Sequence, residues 1–118
     1  MTNDATELSE SDIAALSTRM EELREALRAQ DAESESSRAP VDLDQQSVGR
    51  LSRIDALQQQ AMAKAEARRR KSDLARIGAA FARIEAGEYG WCDECGEPIG
   101  KRRLEVDPMA TRCIRCAD

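Results

Sequence analysis

The four cysteines constrain this chain more than any other feature of its sequence. All of them lie in the last 27 residues, as two C-x-x-C pairs, Cys92/Cys95 and Cys113/Cys116, with 17 residues between the pairs. Each pair forms a tight turn that directs both sulfurs at one ion, and the intervening loop brings the second pair round to complete a tetrahedron. The sequence has no histidine and no other cysteine. We therefore predict one structural Zn²⁺ bound by four thiolates, with no open coordination position for catalysis.

Other chemistries open to paired cysteines are two disulfides, a redox dithiol pair and an iron–sulfur cluster. The N-terminal stretch MTNDATELSESDIAAL is acidic and polar, unlike a signal peptide, and no apolar run reaches the roughly 18 residues that suggest a membrane span. The default expectation is a cytoplasmic protein without a membrane association, and thiols stay reduced in that compartment. Thioredoxin-like motifs occur singly within a βαβ pattern that is missing here. Zinc is therefore favoured.

The composition favours long helices over a broad apolar core. Only three residues are aromatic, 35% are charged, and the mean hydropathy is -0.64. A first helix is predicted over residues 9–33, with Ser9 and Asp12 at capping-box spacing. Its apolar residues step by three and four, which is the seam of a coiled coil. They are Ile13, Leu16, Met20, Leu23 and Leu27.

A second helix is predicted over residues 44–86, after a turn at about residues 34–43 that contains Pro40. Asp42 and Gln45 have capping-box spacing at its start, and Gly87 ends it. Its seam comprises Leu51, Ile54, Leu57, Ala61 and Ala65 and continues as Leu74, Ile77, Phe81 and Ile84.

Two helices that each carry an apolar stripe, joined by a short turn, predict an antiparallel coiled-coil hairpin. The first helix is expected to cover only about the first 24 residues of the second. The later stripe, from Leu74 to Ile84, would then meet the cysteine module, residues 1–8 or another copy of the chain. An intermolecular coiled coil is the alternative, so monomer and dimer both stay open.

The predicted fold is mainly α, with a long two-helix antiparallel coiled-coil hairpin followed by a small C-terminal four-cysteine zinc finger. The predicted domains are a disordered N-terminus at residues 1–8, the hairpin at 9–87 and the zinc finger at 88–118.

The charge is distributed unevenly along the chain. Residues 1–50, 51–90 and 91–118 carry net charges of -7, +3 and -1, and the whole chain carries -5. Affinity for nucleic acid comes mostly from neutralising phosphates with Lys and Arg. An acidic chain with a near-neutral cysteine module therefore argues against sequence-specific DNA binding. An enzyme is also disfavoured, because the chain has no histidine, no open metal position and no glycine-rich phosphate loop.

The cysteine module resembles a known family. The string C-D-E-C is followed after three residues by Ile99, after three more by Arg103, after four by Pro108, and after four by the second C-x-x-C pair. This pattern is similar to the C4 zinc-finger signature of the bacterial DksA/TraR proteins, and the preceding RIEAGEYGWC is similar to the family's approach to its first cysteine. The predicted hairpin resembles the coiled-coil arm of the longer members.

The resemblance implies a transcription regulator that binds RNA polymerase directly. The better-known members of the family insert the arm into the secondary channel of the polymerase, with acidic residues at its tip, and need no base-specific DNA contact. Asp42 and Asp44 are the tip candidates, although the D-x-x-D-x-A motif of the best-known members is not reproduced here. Capping of the second helix is an equally favoured role for these two residues. Asp55, followed by an alanine, is a weaker candidate.

Some family members act together with the nucleotide ppGpp. Arg103, with its neighbours Lys101 and Arg102, could contact phosphates or form part of a solvated loop, and the sequence itself identifies no ppGpp site. The alternative function is a zinc-bound coiled-coil adaptor or dimerisation protein whose partner is not polymerase.

Overall fold

The computed structural model of the chain describes residues 7–34 and 49–117, which contain three helices. They are α1 (Glu10–Glu33), α2 (Arg50–Ala86) and α3 (Lys101–Val106). Within these residues the only β-structure is one isolated antiparallel bridge in the cysteine module. The prediction of a mainly α fold, with two long helices followed by a four-cysteine module, is confirmed. No described helix is both long enough and apolar enough to cross a membrane.

The first helix begins at the predicted capping box. The backbone N–H of Asp12 donates to Ser9 Oγ at 3.1 Å, and the N–H of Ser9 donates to Asp12 Oδ2 at 3.1 Å. The Ser9 carbonyl accepts from the N–H of Ile13 at 3.1 Å. Two N–H groups that would lack helical partners are thus satisfied reciprocally, which explains why α1 starts here.

The second helix ends where the sequence predicts and begins later than it predicts. Gly49 is not helical, and its carbonyl accepts the N–H of Arg53 at 3.0 Å, so α2 starts directly after this glycine. At the other end Gly87 has φ +75°, a conformation that favours glycine, and its N–H donates to the Ile84 carbonyl at 3.1 Å. The predicted helical residues 44–48, and the predicted cap at Asp42, lie outside the described residues.

The described residues form two compact units. The first comprises residues 7–24 and 75–117, and the second comprises residues 25–34 and 49–74. The sequence-based division at residues 8 and 87 stays a prediction, and residues 1–6 are not among those described. The core of the first unit draws on α1, α2 and the cysteine module. Its buried apolar side chains include Leu16, Met20, Ile77, Tyr89, Ile99, Leu104 and Met109.

Within the first unit α1 and α2 run antiparallel. The guanidinium of Arg24 in α1 lies over the ring of Phe81 in α2, 4.8 Å from its centroid. Nearer the start of α1, Ile13 borders the same small cavity as Ile84, nearer the end of α2. The expected register is therefore wrong: α1 covers the later stripe of α2 rather than its first 24 residues.

The second unit shows why the register differs. Arg70 in α2 is only 8% exposed, and its guanidinium hydrogen-bonds Asp31 Oδ1 at 3.4 Å and the hydroxyl of Ser34. A buried guanidinium needs such partners, so this contact aligns the last turn of α1 with a point twenty residues into α2. The predicted earlier seam stays largely outside the core. Exposed fractions are 77% for Leu51, 43% for Ile54 and 48% for Leu57.

Candidate metal centre

The two C-x-x-C pairs bring their four sulfurs together at one point. The Sγ atoms of Cys92, Cys95, Cys113 and Cys116 all lie within 4.8 Å of one another, and those of Cys95 and Cys113 are 3.7 Å apart. A tetrahedral zinc ion with Zn–S bonds of about 2.3 Å needs sulfurs about 3.8 Å apart. The four cysteines are therefore positioned to bind one metal ion.

Main-chain hydrogen bonds shape each pair into a turn. In the first pair the Cys92 carbonyl accepts from the N–H of Gly96 at 3.0 Å, and the N–H of Glu94 points to Cys92 Sγ at 3.4 Å. Gly96 has φ +76°, which a residue with a side chain rarely adopts. In the second pair the Cys113 carbonyl accepts from the N–H of Cys116 at 3.0 Å. These short-range bonds fold each pair onto itself and turn both sulfurs to one side.

The thiols differ in how readily they ionise. Burial raises the pKa of Cys92, but backbone hydrogen bonds from Cys95, Cys113 and Glu94 outweigh it and lower this pKa to about 6. The other three thiols raise the pKa of Cys116 to about 12. Four thiolates this close repel one another, so all four ionise together only with a cation between them. This donor set fits Zn²⁺, which prefers thiolate ligands in tetrahedral sites.

The module is attached to the helices by polar contacts that the sequence analysis did not identify. The buried Tyr89 hydroxyl donates to the Pro108 carbonyl at 2.7 Å, and burial raises its pKa to about 12. Arg76 of α2 pairs with Asp107 at 3.0 Å. Arg83, also of α2, donates to the carbonyl of Trp91 at 2.6 Å. The Arg83 contact adjoins the first cysteine pair at Trp91, and the other two attach the segment that precedes the second pair.

The start of α1 also contacts the module. Arg19 donates to the Glu105 carbonyl at 2.7 Å, and Asp12 pairs with Lys101 at 3.1 Å. The hydrogen bonds from Lys101 and Ser9 lower the pKa of Asp12 below its ordinary value. No short-range motif marks these long-range pairs, so the sequence alone could not reveal them.

Two of the other predicted site residues, Asp55 and Arg103, are among those that the structure describes. Asp55 is exposed on α2 within the second unit. Arg103 is half-buried on α3, and its Nε donates to the Arg112 carbonyl at 2.7 Å, so it supports the loop before the second cysteine pair. Asp42 and Asp44 lie outside the described residues, and their role stays a prediction.

Comparison with known proteins gives consistent matches. The family model for the prokaryotic dksA/traR C4-type zinc finger matches residues 87–118. The RNA polymerase-binding transcription factor DksA of Caulobacter vibrioides is 42% identical over 50 residues, which are 42% of this chain and 35% of that protein. DksA of Escherichia coli K12 is 38% identical over 48 residues, 41% of this chain and 32% of that protein. The matched segment thus spans about a third of these relatives' length.

A solved structure extends the similarity to most of the chain. Transcription factor DksA2 from Pseudomonas aeruginosa superimposes with a TM-score of 0.72 at 30% sequence identity. The alignment covers 91% of this chain and 81% of that one. The likeness therefore includes the long helices as well as the cysteine module.

Proposed function

Because this chain belongs to the DksA/TraR family, we propose that it is a transcription regulator that binds RNA polymerase directly. The observation that carries this proposal is the structural match to a DksA-type transcription factor over 91% of the chain. A shared zinc finger alone would be weak support, because small metal modules serve many functions. Here the two long helices match as well.

The charge distribution supports a finer proposal about how it binds. Residues 1–50 carry a net charge of -7, and Asp42 and Asp44 fall in the stretch of sequence that joins α1 to α2. An acidic connection between two antiparallel helices suits a basic, metal-containing channel, because complementary charge speeds association and selects the partner. We therefore assign the joining segment to the secondary channel of the polymerase. This mode of binding needs no base-specific DNA contact and no catalysis by the chain.

In this proposal the metal is structural. When bound, Zn²⁺ supplies folding free energy to a module with few large apolar groups. The chain's own residues supply the rest: four thiolates hold the ion, and the contacts from α1 and α2 orient the module.

A binding assay with core RNA polymerase tests the proposal. The zinc-loaded full chain should bind at micromolar concentration or tighter and should alter transcription in vitro. The Asp42→Asn/Asp44→Asn variant should still bind but should lose most of the transcriptional effect. Glu22→Gln/Glu85→Gln is the matched control, because it removes the same charge from exposed helical positions in the first unit. It should behave as the unmodified chain.

Three results would contradict parts of the proposal. No binding of the unmodified chain at micromolar concentration would leave the family fold without this partner. Equal transcriptional effects of both double variants would remove the joining segment from the mechanism. Tight binding to duplex DNA at moderate salt, with a preference for sequence, would contradict the claim that no base-specific contact is made.

A specific observation favours a second candidate, an adaptor or dimerisation protein. Leu51, Ile54 and Leu57 follow one another at three-residue steps along α2 and are 77%, 43% and 48% exposed, and an exposed apolar stripe of this kind is typical of an interaction surface. Light scattering after size exclusion discriminates between the candidates. A stable dimer together with no polymerase binding would support the adaptor.

A further inference from the structure

Ion pairs connect the two cysteine turns, in addition to the metal ion that their sulfurs would share. Arg112 directly precedes the second cysteine pair, and one of its terminal nitrogens lies 3.2 Å from Glu94 Oε1. Its Nε lies 3.8 Å from Asp93 Oδ1. Asp93 and Glu94 are the two residues enclosed by the first pair. A single guanidinium therefore reaches both acidic side chains of the opposite turn.

Arg112 is held in place by its own main chain. Its carbonyl accepts a hydrogen bond from Nε of Arg103 on α3 at 2.7 Å. The carbonyl of the preceding residue, Thr111, accepts from the N–H of Asp93 at 2.9 Å. Because the backbone of both Arg112 and Asp93 is anchored, the ion pair forms without further ordering of the main chain. Its contribution should therefore lie within the range of exposed ion pairs that are well oriented.

The charges explain why such a contact matters at this position. A zinc ion with four thiolates carries a net charge of about -2, and the carboxylates of Asp93 and Glu94 add two more negative charges beside it. Even with zinc bound, these negative charges repel one another. Arg112 places a positive charge beside them and offsets part of that repulsion. Arg115, inside the second cysteine pair, is exposed and forms no ion pair within the described part of the chain.

We propose that Arg112 is a positioning residue of the metal site, which holds the two cysteine turns together and slows the release of zinc. It touches no sulfur in this role. It acts by opposing the separation of the turns, the motion that must precede loss of the ion. This role is independent of polymerase binding and is tested without polymerase.

The test measures zinc transfer from the full, zinc-loaded chain to a chromogenic chelator such as pyridylazoresorcinol. The Arg112→Ala variant should release zinc about two- to fivefold faster at low ionic strength, because exposed ion pairs are weak individually. The difference should shrink at about 0.5 M salt, where screening is strong. Arg112→Lys should keep part of the protection. Arg115→Ala is the matched control, since it removes the same charge near the same pair, and it should release zinc at the unmodified rate.

A double-mutant cycle separates the ion pair from other effects of Arg112→Ala, and Arg112→Lys, which keeps the charge, shows whether the site tolerates substitution. The Glu94→Gln variant removes a partner of the ion pair without touching the second turn. Its effect on the release rate should be smaller in the Arg112→Ala background than in the unmodified chain. Additive effects, or equal release rates of Arg112→Ala and Arg115→Ala at low salt, would overturn the proposal. So would an acceleration that is unchanged by salt, which would indicate lost packing rather than charge.

Discussion

The first unit depends on a buried methionine that has an exposed counterpart elsewhere in the chain. Met20 of α1 is fully buried, whereas Met62 of α2 is 63% exposed. Replacing Met20 with alanine should lower the free energy of unfolding by about 2–5 kcal/mol, because it removes buried methylene groups and leaves a cavity. Met62→Ala should change it by less than about 0.5 kcal/mol. Both substitutions exchange the same side chains within a helix, so helix propensity cancels in the comparison.

Urea titration measures the difference. Trp91 is the only tryptophan of the chain and lies in the same unit as Met20, so its fluorescence follows the unit that the substitution affects. With a denaturant dependence of about 2 kcal/mol per molar for a small protein, the midpoint for Met20→Ala should fall by roughly 1–2.5 M. Zinc must be saturating in every sample, since metal binding shifts apparent stability.

The result that would refute this reasoning is an equal midpoint shift for the two variants. It would mean that the side chain of Met20 contributes no more to folding than an exposed one. A large loss for Met62→Ala alone would indicate instead that its face of α2 is covered in solution, and it would support the adaptor candidate.

Three further predictions follow from the first unit. Gly90→Ala should lower the melting temperature, because Gly90 has φ +91° and an added Cβ would lie 2.9 Å from Leu8 Cδ1. Gly78→Ala is the control: an added Cβ there would have no atom within 4 Å, so the substitution should raise the free energy of unfolding by up to about 1 kcal/mol. Hydrogen bonds from Lys101 and Ser9 lower the pKa of Asp12 below its ordinary value of 3.8. Their contribution is therefore present at neutral pH and is lost as the pH falls through the lowered pKa, so unfolding curves of Asp12→Asn and the unmodified chain should converge in acid. Chelation of zinc should remove hydrogen-exchange protection from residues 88–117. It should also remove protection from the start of α1, because α1 contacts α3 through Arg19. Retained protection at the start of α1 would contradict that coupling.

Features that depend on neighbouring residues could be predicted from the sequence. The start of α1 follows from a serine and an aspartate three residues apart, and the end of α2 follows from Gly87, because caps act over one helical turn. The four metal-binding sulfurs follow from the spacing of their two pairs, because each pair folds through hydrogen bonds of its own. In each case the interacting groups are close along the chain.

The register of the two long helices could not be predicted in this way. Seams with steps of three and four residues look alike along both helices, so they allow several alignments. The alignment instead depends on particular partners: Arg70 with Asp31 in the second unit, and Arg24 over Phe81 in the first. A turn at residues 34–43 leading directly into the second helix would place α1 against the first part of α2, whereas these partners align it with the later part.

The contacts around the cysteine module could not be predicted from the cysteine motif either. Cysteine spacing predicts which atoms bind a metal, but not what holds the two turns in place when thiolate repulsion drives them apart. Arg112, paired with Asp93 and Glu94, supplies part of that force, and Asp12 of α1 pairs with Lys101 of α3 and so attaches the module to the helices. Because these contacts belong to the same compact unit as the ends of α1 and α2, metal retention and helix packing should change together. A substitution that weakens zinc retention should also weaken the packing of the helices around Met20, and the reverse should hold. A variant that loses zinc readily but unfolds at the same urea concentration as the unmodified chain would contradict this coupling.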